Sequence, residues 1–261
     1  MRIDLNCDLG ESFGAYTLGL DSEVIPFITS ANIACGYHAG DPLVMDATVQ
    51  ACKQAGVAVG AHPGFPDLMG FGRRNVAASP KEVKAYVQYQ VGALQAFCTS
   101  HNVALRHVKP HGAMYNMAGR DIALARAICE GIQATGPSLI LLALSGSKMT
   151  DAARELGLPC AKEVFADRAY EEDGSLVARG KPGAMITDED LAIARVVRIA
   201  KDGAVESITG RDIPLEAESV CVHGDSAHAL AFVKKIRAAL QTNGIEVRAM
   251  GSFEHKISAA E

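Results

Sequence analysis

The sequence predicts an α/β fold in which seven parallel strands form a closed or nearly closed (β/α) barrel. Its 261 residues match the usual length of one such barrel. Short apolar runs alternate with longer segments of helical period, and no long linker separates them. Most of the apolar runs lack polar alternation, as is typical of strands buried on both faces of a parallel sheet. A doubly wound open sheet is the alternative architecture.

The predicted strands are rich in Val, Ile, Leu and Ala. They span residues 2–7, 30–35, 57–61, 103–108, 138–144, 160–165 and 219–223. Seven strands make one unit fewer than the usual eight of a (β/α) barrel.

The segments between these strands have apolar residues three and four positions apart, which predicts helices. Pro42 and Gly56 bound the first of them, and Ser79 with the following Pro and Glu opens the second. The predicted helices span residues 42–56, 79–101, 120–136, 146–157, 187–203 and 225–244. Two turn-rich stretches between 170 and 218 predict a hairpin or loop insertion in a single domain of residues 1–261.

Composition excludes several classes of function. Formal net charge is −5 and no basic tract is present, so nucleic acid and anionic membrane surfaces are not expected partners. The seven Cys are scattered without a C-x-x-C pair, which argues against a disulfide framework or a zinc ribbon. The N-terminal sequence has no apolar signal region and no run is long enough to span a bilayer, so the expected location is the cytoplasm.

Polar residues that bind ligands or exchange protons follow most of the predicted strands. In a parallel barrel these strand ends share one face, where catalytic groups gather. The residues in chain order are Asp8 and Glu11, His38 and Asp41, His62 and Asp67 with Arg73 and Arg74, Lys109 with His111 and Tyr115, Ser145 and Ser147, Glu163 with Asp167 and Arg168, and His223 with Asp225. The stretch HVKPHGAMYN, residues 107–116, is therefore interpreted as one wall of a shared pocket.

Each of these residues also has a purely structural interpretation. A single His at a strand end is often only hydrogen-bonded, and Tyr115 could simply pack. Asp41, Asp67 and Asp225 could cap the following helix or turn. Turns alone do not require five of the eight His at four strand ends, so the set favours a functional site more than any one member does.

Two kinds of chemistry suit the cluster. In the first, His38, His62, His111 and His223, with Asp8 or Glu11, hold a divalent metal ion that activates water or polarises a carbonyl. In the second, the same groups act without metal as acid, base and oxyanion donors, and Lys109, Arg73 and Arg168 hold a carboxylate or phosphate. The chain has neither G-x-x-x-x-G-K-[ST] nor a G-x-G-x-x-G after a strand, so it is not expected to be an ATPase by itself.

Six blocks of the sequence together resemble the LamB/YcsF family, which comprises the prokaryotic 5-oxoprolinase A subunits. They occur in order from Asp4 to about Ser252. The blocks are DLNCDLGESFG (4–14), SANIACGYHAGDP (30–42), GAHPGFPDLMGFGRR (60–74), HVKPHGAMYN (107–116), EVFADRAY (163–170) and CVHGD (221–225).

The resemblance implies a distorted seven-stranded barrel like those of glycoside hydrolases and deacetylases. It implies ATP-dependent opening of 5-oxoproline to L-glutamate by a complex with subunits B and C, which uses ATP with Mg. Deacetylase relatives carry an Asp on the first strand and His ligands on later ones, which points to Asp8, His38 and His62 as metal ligands if the barrel keeps a metal.

For this reaction we hypothesise roles for the strand-end residues from their positions. Asp8 or Glu11 is the expected general base, and His62 or His111 is the expected acid for the leaving nitrogen. Lys109 is expected to stabilise the oxyanion or phosphoryl oxygens. The expected substrate-binding residues are Asn6, His38, Arg73, Tyr115, Arg168 and Asp225, with Arg73 or Arg168 on the substrate carboxylate. Two rival functions remain, a stand-alone metal-dependent deacetylase or sugar hydrolase, and a non-catalytic subunit that stabilises its partners.

Overall fold

The computed structural model describes residues 1–178, 180–223 and 227–251, with residues 227 and 228 as backbone only. The described strands, in chain order, are β1 (Arg2–Leu9), β2 (Ser30–Ala34), β3 (Ala58–His62), β4 (Leu105–Val108), β5 (Ile140–Leu144), β6 (Cys160–Phe165), β7 (Ala204–Glu206), β8 (Asp212–Pro214), β9 (Ser219–Val222) and β10 (Glu246–Val247).

Seven of these strands are parallel and close into a barrel. The barrel runs from β1 through β6 to β9, and it closes because β1 pairs with both β2 and β9. The predicted closed barrel of seven strands is thus confirmed, and the open sheet is excluded.

Helices cover the outside of the barrel, and apolar side chains fill the layer between. The helices are α1 (Asp21–Val24), α2 (Pro42–Ala55), α3 (Pro80–Ser100), α4 (Gly112–Ala118), α5 (Ile122–Thr135), α6 (Lys148–Leu156), α7 (Glu189–Asp202) and α8 (Ala227–Thr242), with 3₁₀ turns at Ile25–Phe27 and Leu68–Gly70. None of the described helices is long and apolar enough to cross a membrane.

The helix boundaries follow from capping. Ser79 and Glu82 form a reciprocal capping box at the start of α3, and Asp41 accepts two backbone N–H groups at the start of α2. Asp67 caps the short 3₁₀ turn that begins at Leu68. The structural interpretation of Asp41 and Asp67 is therefore correct. The predicted start of the last helix at Asp225 lies outside the described residues.

The predicted insertion contains the short antiparallel pair β7 and β8, which follows α7. The strand β10 pairs with the start of β1. The sequence pattern predicts neither β10 nor α4 as a separate element. Helix α4 begins directly after the HVKPH sequence, where Gly112 adopts a φ of +53° and lies against the Gly72 carbonyl.

The inside of the barrel is polar near its centre, unlike the layer beneath the helices. Alternate residues of a strand point to the same face, so Asp4, Asn6 and Asp8 of β1 share the inner face. Asn32 on β2 donates to both Asn6 and Asp8. His107 on β4 is fully buried, and its Nε2 donates to the Asn32 side-chain oxygen.

The ring of His107 fills the space that a side chain on Gly60 would need. A Cβ on Gly60 would lie 2.1 Å from His107 Nε2, much closer than any van der Waals contact. Gly60 is therefore required by packing across the β3–β4 pair rather than by backbone conformation.

We expect Gly60→Ala to lower the free energy of unfolding by about 1–3 kcal/mol, because overpacking displaces a buried ring. Gly92→Ala is the matched control, since Gly92 lies within α3 and a Cβ there meets nothing within 4 Å. The control is expected to gain up to about 1 kcal/mol of stability from helix propensity. Urea unfolding of both variants checks this, and equal stability of Gly60→Ala and the parent protein would contradict it.

The buried His107 also predicts a dependence of stability on pH. Burial lowers the pKa of His107 to about 3. In the unfolded chain His107 takes up a proton near pH 6.5, whereas in the folded chain it stays neutral down to about pH 3. Stability is therefore lost as the pH falls from about 6.5 towards 3.

The contribution of His107 is about 1.4 kcal/mol per pH unit within that window. We expect His107→Gln, which keeps an N–H donor for Asn32, to reduce the slope of unfolding free energy against pH by this amount between about pH 6 and 4. Unfolding curves across the range measure it. An unchanged slope would mean that His107 takes up its proton in the folded state.

Candidate active site

A buried ammonium group lies at the centre of the site. Lys109 follows β4, and its Nζ lies 2.8 Å from a Glu163 oxygen and 3.0 Å from Asp8 Oδ1, across the barrel. It also contacts Asn6 Oδ1 at 3.2 Å and the Cys221 sulfur at 3.2 Å. Four strands therefore meet at one side chain. Such a charge is tolerated inside a barrel only when it is paired and hydrogen-bonded.

One carboxylate partner of Lys109 is held from two sides. Glu163 is fully buried on β6, and Tyr115 on α4 donates its hydroxyl to it at 2.6 Å. Burial raises the pKa of Tyr115 well above its ordinary value, and the adjacent Glu163 raises it further, so the phenol stays protonated. Tyr115 is thus a hydrogen-bond donor that orients Glu163 against Lys109.

The other carboxylate partner, Asp8, reaches the opening of the barrel. The side chain of Asp8 is 21% exposed, whereas that of Lys109 is 3% exposed. Burial opposes ionisation of Asp8, but His62 and Lys109 outweigh it and hold the pKa of Asp8 well below its usual value. Burial likewise disfavours the Lys109 cation, but Asp8, Cys221 and Glu163 together raise the pKa of Lys109 well above its ordinary value.

Two histidines beside Asp8 have fixed tautomers. His62 Nδ1 lies 2.6 Å from the Lys109 carbonyl, and His111 Nε2 lies 2.8 Å from the Phe71 carbonyl. A carbonyl can only accept, so these ring nitrogens carry the hydrogens. The other two nitrogens, His62 Nε2 and His111 Nδ1, face each other at 3.0 Å. His62 Nε2 is also 3.3 Å from Asp8 Oδ2.

His38 and Glu11 complete this side of the site. The ring of His38 stacks on that of His111 at 3.7 Å, and both of its nitrogens are buried without a hydrogen-bond partner among the described residues. Glu11 Oε1 lies 3.6 Å from His38 Nε2 and 3.9 Å from His111 Nδ1. Burial first, and the charge of Asp8 second, raise the pKa of Glu11 to about 7. Burial lowers the pKa of His38 well below its ordinary value and that of His111 to about 3.

Four of these residues could hold a metal ion. One donor atom each from Glu11, His38, His62 and His111 lies within 4.8 Å of the others. Three imidazoles and a carboxylate suit first-row divalent ions. The set contains His38 and His62 of the expected ligands, but it has Glu11 and His111 in place of Asp8.

A tight loop covers the histidines. Phe71 adopts a φ of +53°, which is unusual for a bulky residue, and its ring packs edge-on against His38 and His111. A Cβ on Gly72 would lie 2.7 Å from His38 Cβ, so the loop approaches the ring at a distance only glycine permits. The loop thereby delivers the Phe71 carbonyl to His111.

The two arginines expected to bind substrate are placed differently. Arg73 is exposed, and its guanidinium lies 5.4 Å from the Phe71 ring centroid, next to the histidines. Arg168 is buried at the insertion and donates to the Val177 carbonyl at 2.6 Å. Of the two, Arg73 has the accessible guanidinium. Its neighbour Arg74 pairs with Asp67.

The last strand of the barrel also contributes a charged pair. His223 Nδ1 lies 3.2 Å from Asp167 Oδ2. His223 is not in the group of donor atoms from Glu11, His38, His62 and His111 that lie within 4.8 Å of one another, so that candidate metal-binding set does not include it. Asp225 lies outside the described residues, so its expected role stays a prediction.

Three residues of the Lys109 cluster receive no specific role from the sequence pattern. Glu163 is recognisable only as a strand-end residue, whereas Asn32 and Cys221 lie within apolar runs. Asn32 interrupts the run SANIA, and an amide in a strand buried on both faces is itself a signal, because it requires polar partners inside the barrel.

Comparisons with known proteins agree with this fold. The model of the LamB/YcsF family matches residues 3–255. The crystal structure of the lactam utilization protein from Thermus thermophilus superposes with a TM-score of 0.91 at 46% identity, covering 95% of this chain and 100% of that one.

Proteins named as the A subunit of 5-oxoprolinase are similar along nearly their whole length. The one from Clostridium beijerinckii is 66% identical over 246 residues, which is 94% of this chain and 96% of that protein. The one from Bacillus subtilis is 53% identical over 249 residues, covering 95% and 97% respectively. A barrel of the expected strand number, a matched family model and relatives of this similarity lead to one conclusion. This chain belongs to the LamB/YcsF family.

Proposed function

We propose that this chain is the A subunit of a 5-oxoprolinase that opens the lactam of 5-oxoproline to L-glutamate at the expense of ATP. The relatives that bear this name support the reaction, and the name supports assembly with further subunits, for which we propose B and C. The observation that carries the chemistry is the Asp8–Lys109 pair, in which a partly exposed carboxylate is held beside a buried ammonium. The seven free thiols of the chain suit a reducing compartment such as the cytoplasm.

The lactam is a stable amide, so its carbonyl carbon needs activation. Transfer of the γ-phosphoryl group of ATP to the lactam oxygen supplies it and releases ADP. Since the sequence lacks a nucleotide-binding fingerprint, the partner subunits are assigned the binding of ATP with Mg. Water then adds to the ring carbon, the C–N bond breaks, and the resulting acyl phosphate is hydrolysed by a second water to glutamate and phosphate.

Asp8 is placed to act as the base for the attacking water. Its Oδ1 is fixed by Lys109 and Asn32, so the carboxylate plane is set before substrate arrives. The proton that Asp8 takes from water is then available to the leaving nitrogen. That His62 or His111 supplies this proton stays a prediction, but geometry favours Asp8, because both rings give their N–H to backbone carbonyls.

Lys109 is assigned to the negative charge that develops on the ring oxygen or its phosphoryl group. A buried ammonium already oriented by Glu163 and Asn6 needs no reorganisation during the reaction, which is the source of such stabilisation. Arg73 is assigned to the substrate carboxylate, since its guanidinium is exposed beside the site. The remaining proposed contributors to substrate binding are His38, Tyr115, Asn6, Arg168 and Asp225.

We expect Asp8→Asn to lower the rate of glutamate formation about 10²–10⁴-fold, the range for loss of a general base. Glutamate release from 5-oxoproline is measured with ATP and the partner subunits present. Asp46→Asn, a surface carboxylate paired with His101, is the matched control and should retain the parent rate. A normal rate for folded Asp8→Asn would refute the assignment and favour the non-catalytic alternative.

Lys109 requires a different design, because its removal leaves two carboxylates without their cation. We expect Lys109→Met to cost about 3–5 kcal/mol of stability. The double variant Lys109→Met with Glu163→Gln removes one of those charges, so it should recover stability while its rate stays about 10²–10³-fold low.

Lys84→Met, at an exposed ion pair with Glu130, is the control for this series. Recovery of both stability and rate in the double variant would show that Lys109 serves folding alone. Turnover of an N-acetylated sugar without ATP or partners would support the stand-alone deacetylase instead.

A further inference from the structure

We propose that Glu11, His38, His62 and His111 bind one divalent first-row transition-metal ion at the mouth of the barrel, and that Asp8 is not among its ligands. The class of ion is that favoured by three imidazoles and one carboxylate, such as Zn²⁺, Co²⁺ or Ni²⁺. This inference stands on the geometry of the four residues and does not depend on the lactam reaction.

The two fixed tautomers are the first argument. Metal-binding histidines almost always donate their other ring N–H to a carboxylate or a carbonyl, which orients the ligating lone pair. His62 and His111 both do this, to the carbonyls of Lys109 and Phe71. Their other ring nitrogens, His62 Nε2 and His111 Nδ1, face each other at 3.0 Å. Both nitrogens therefore point at one place, where a single cation would be bound by both rings.

His38 supplies the second argument. Its side chain is fully buried, yet neither ring nitrogen has a hydrogen-bond partner among the described residues. A buried imidazole without partners loses the hydrogen bonds it makes in water, and this loss is unfavourable. Within the same described part of the chain, Glu11 Oε1 is likewise buried without a hydrogen bond, 3.6 Å from His38 Nε2. One cation between them would satisfy both Glu11 Oε1 and His38 Nε2.

The spacing of the four donor atoms also fits. They lie within 4.8 Å of one another. Ligands about 2.1 Å from a tetrahedral ion are about 3.4 Å apart, so the most distant pair of donor atoms must close by up to about 1.4 Å. The side chain of Glu11 is 20% exposed, so its carboxylate is the ligand with most freedom to approach the three rings.

Asp8 is left out of the proposed ligands because its carboxylate already pairs with the Lys109 ammonium. Its Oδ1 accepts from Lys109 at 3.0 Å and from Asn32 at 2.9 Å. Asp8 is also not in the group of donor atoms that lie within 4.8 Å of one another. Asp8 Oδ2, 3.3 Å from His62 Nε2, therefore borders the metal site without being part of it. When bound, the ion would act as a Lewis acid or lower the pKa of a water ligand.

The test is direct metal binding by the full-length chain, stripped with chelator and dialysed against Zn²⁺ or Co²⁺. We expect one ion per chain and, for Co²⁺, visible absorption bands of a nitrogen- and oxygen-coordinated site. Glu11→Gln and His111→Gln should weaken binding on the order of 100-fold or more, since each removes a ligand and not merely its support. Asp8→Asn and His107→Gln, the latter a buried histidine outside the set, should bind within about threefold of the parent, because neither removes a ligand.

Failure of the unmodified chain to bind stoichiometric metal would overturn the proposal. So would loss of binding in Asp8→Asn together with retention in Glu11→Gln and His111→Gln, which would place the ion on Asp8, His38 and His62. Glu11→Gln is isosteric, and thermal unfolding without metal verifies that each variant is folded. A metal-dependent rise in melting temperature for the parent, absent in Glu11→Gln, gives an independent measurement.

Discussion

The burial of one ammonium group constrains the centre of this barrel. Lys109 must be paired, and its partners come from β1, β6 and β9, which reach it across the lumen rather than along the sheet. Each carboxylate partner is in turn fixed by another residue, as Glu163 is by Tyr115 and Asp8 by Asn32. The polar interior is therefore a connected network, and partial satisfaction of such a network costs more than an apolar filling would.

Much of the scaffold could be predicted from sequence because its rules are local. Apolar runs without alternation marked the buried parallel strands, and Ser79 and Asp41 marked helix starts. The gathering of His38, His62, His111 and Lys109 also followed from one geometric fact, that parallel strands end on one face of a barrel.

The details of the site depend on contacts between distant strands, and no local pattern reveals those. Glu163 lies two strands beyond Lys109 along the chain, and only the register between strands brings its carboxylate to the ammonium. His223 pairs with Asp167 and is not in the group of donor atoms formed by Glu11 and the three other histidines. Helix α4 escaped prediction because seven residues are too few for a clear helical period, and it is held by the Gly72 loop and by packing.

The carbonyls that orient His62 and His111 have a consequence for how this site tolerates sequence change. Both acceptors belong to the main chain, so no single substitution can delete them. A carboxylate side chain that accepted the same hydrogen bond could be removed by a single substitution. The hydrogen bonds that orient the two rings are thus inherited with the backbone path, whereas the side chain of Lys109 is constrained separately by its pairing with Asp8 and Glu163.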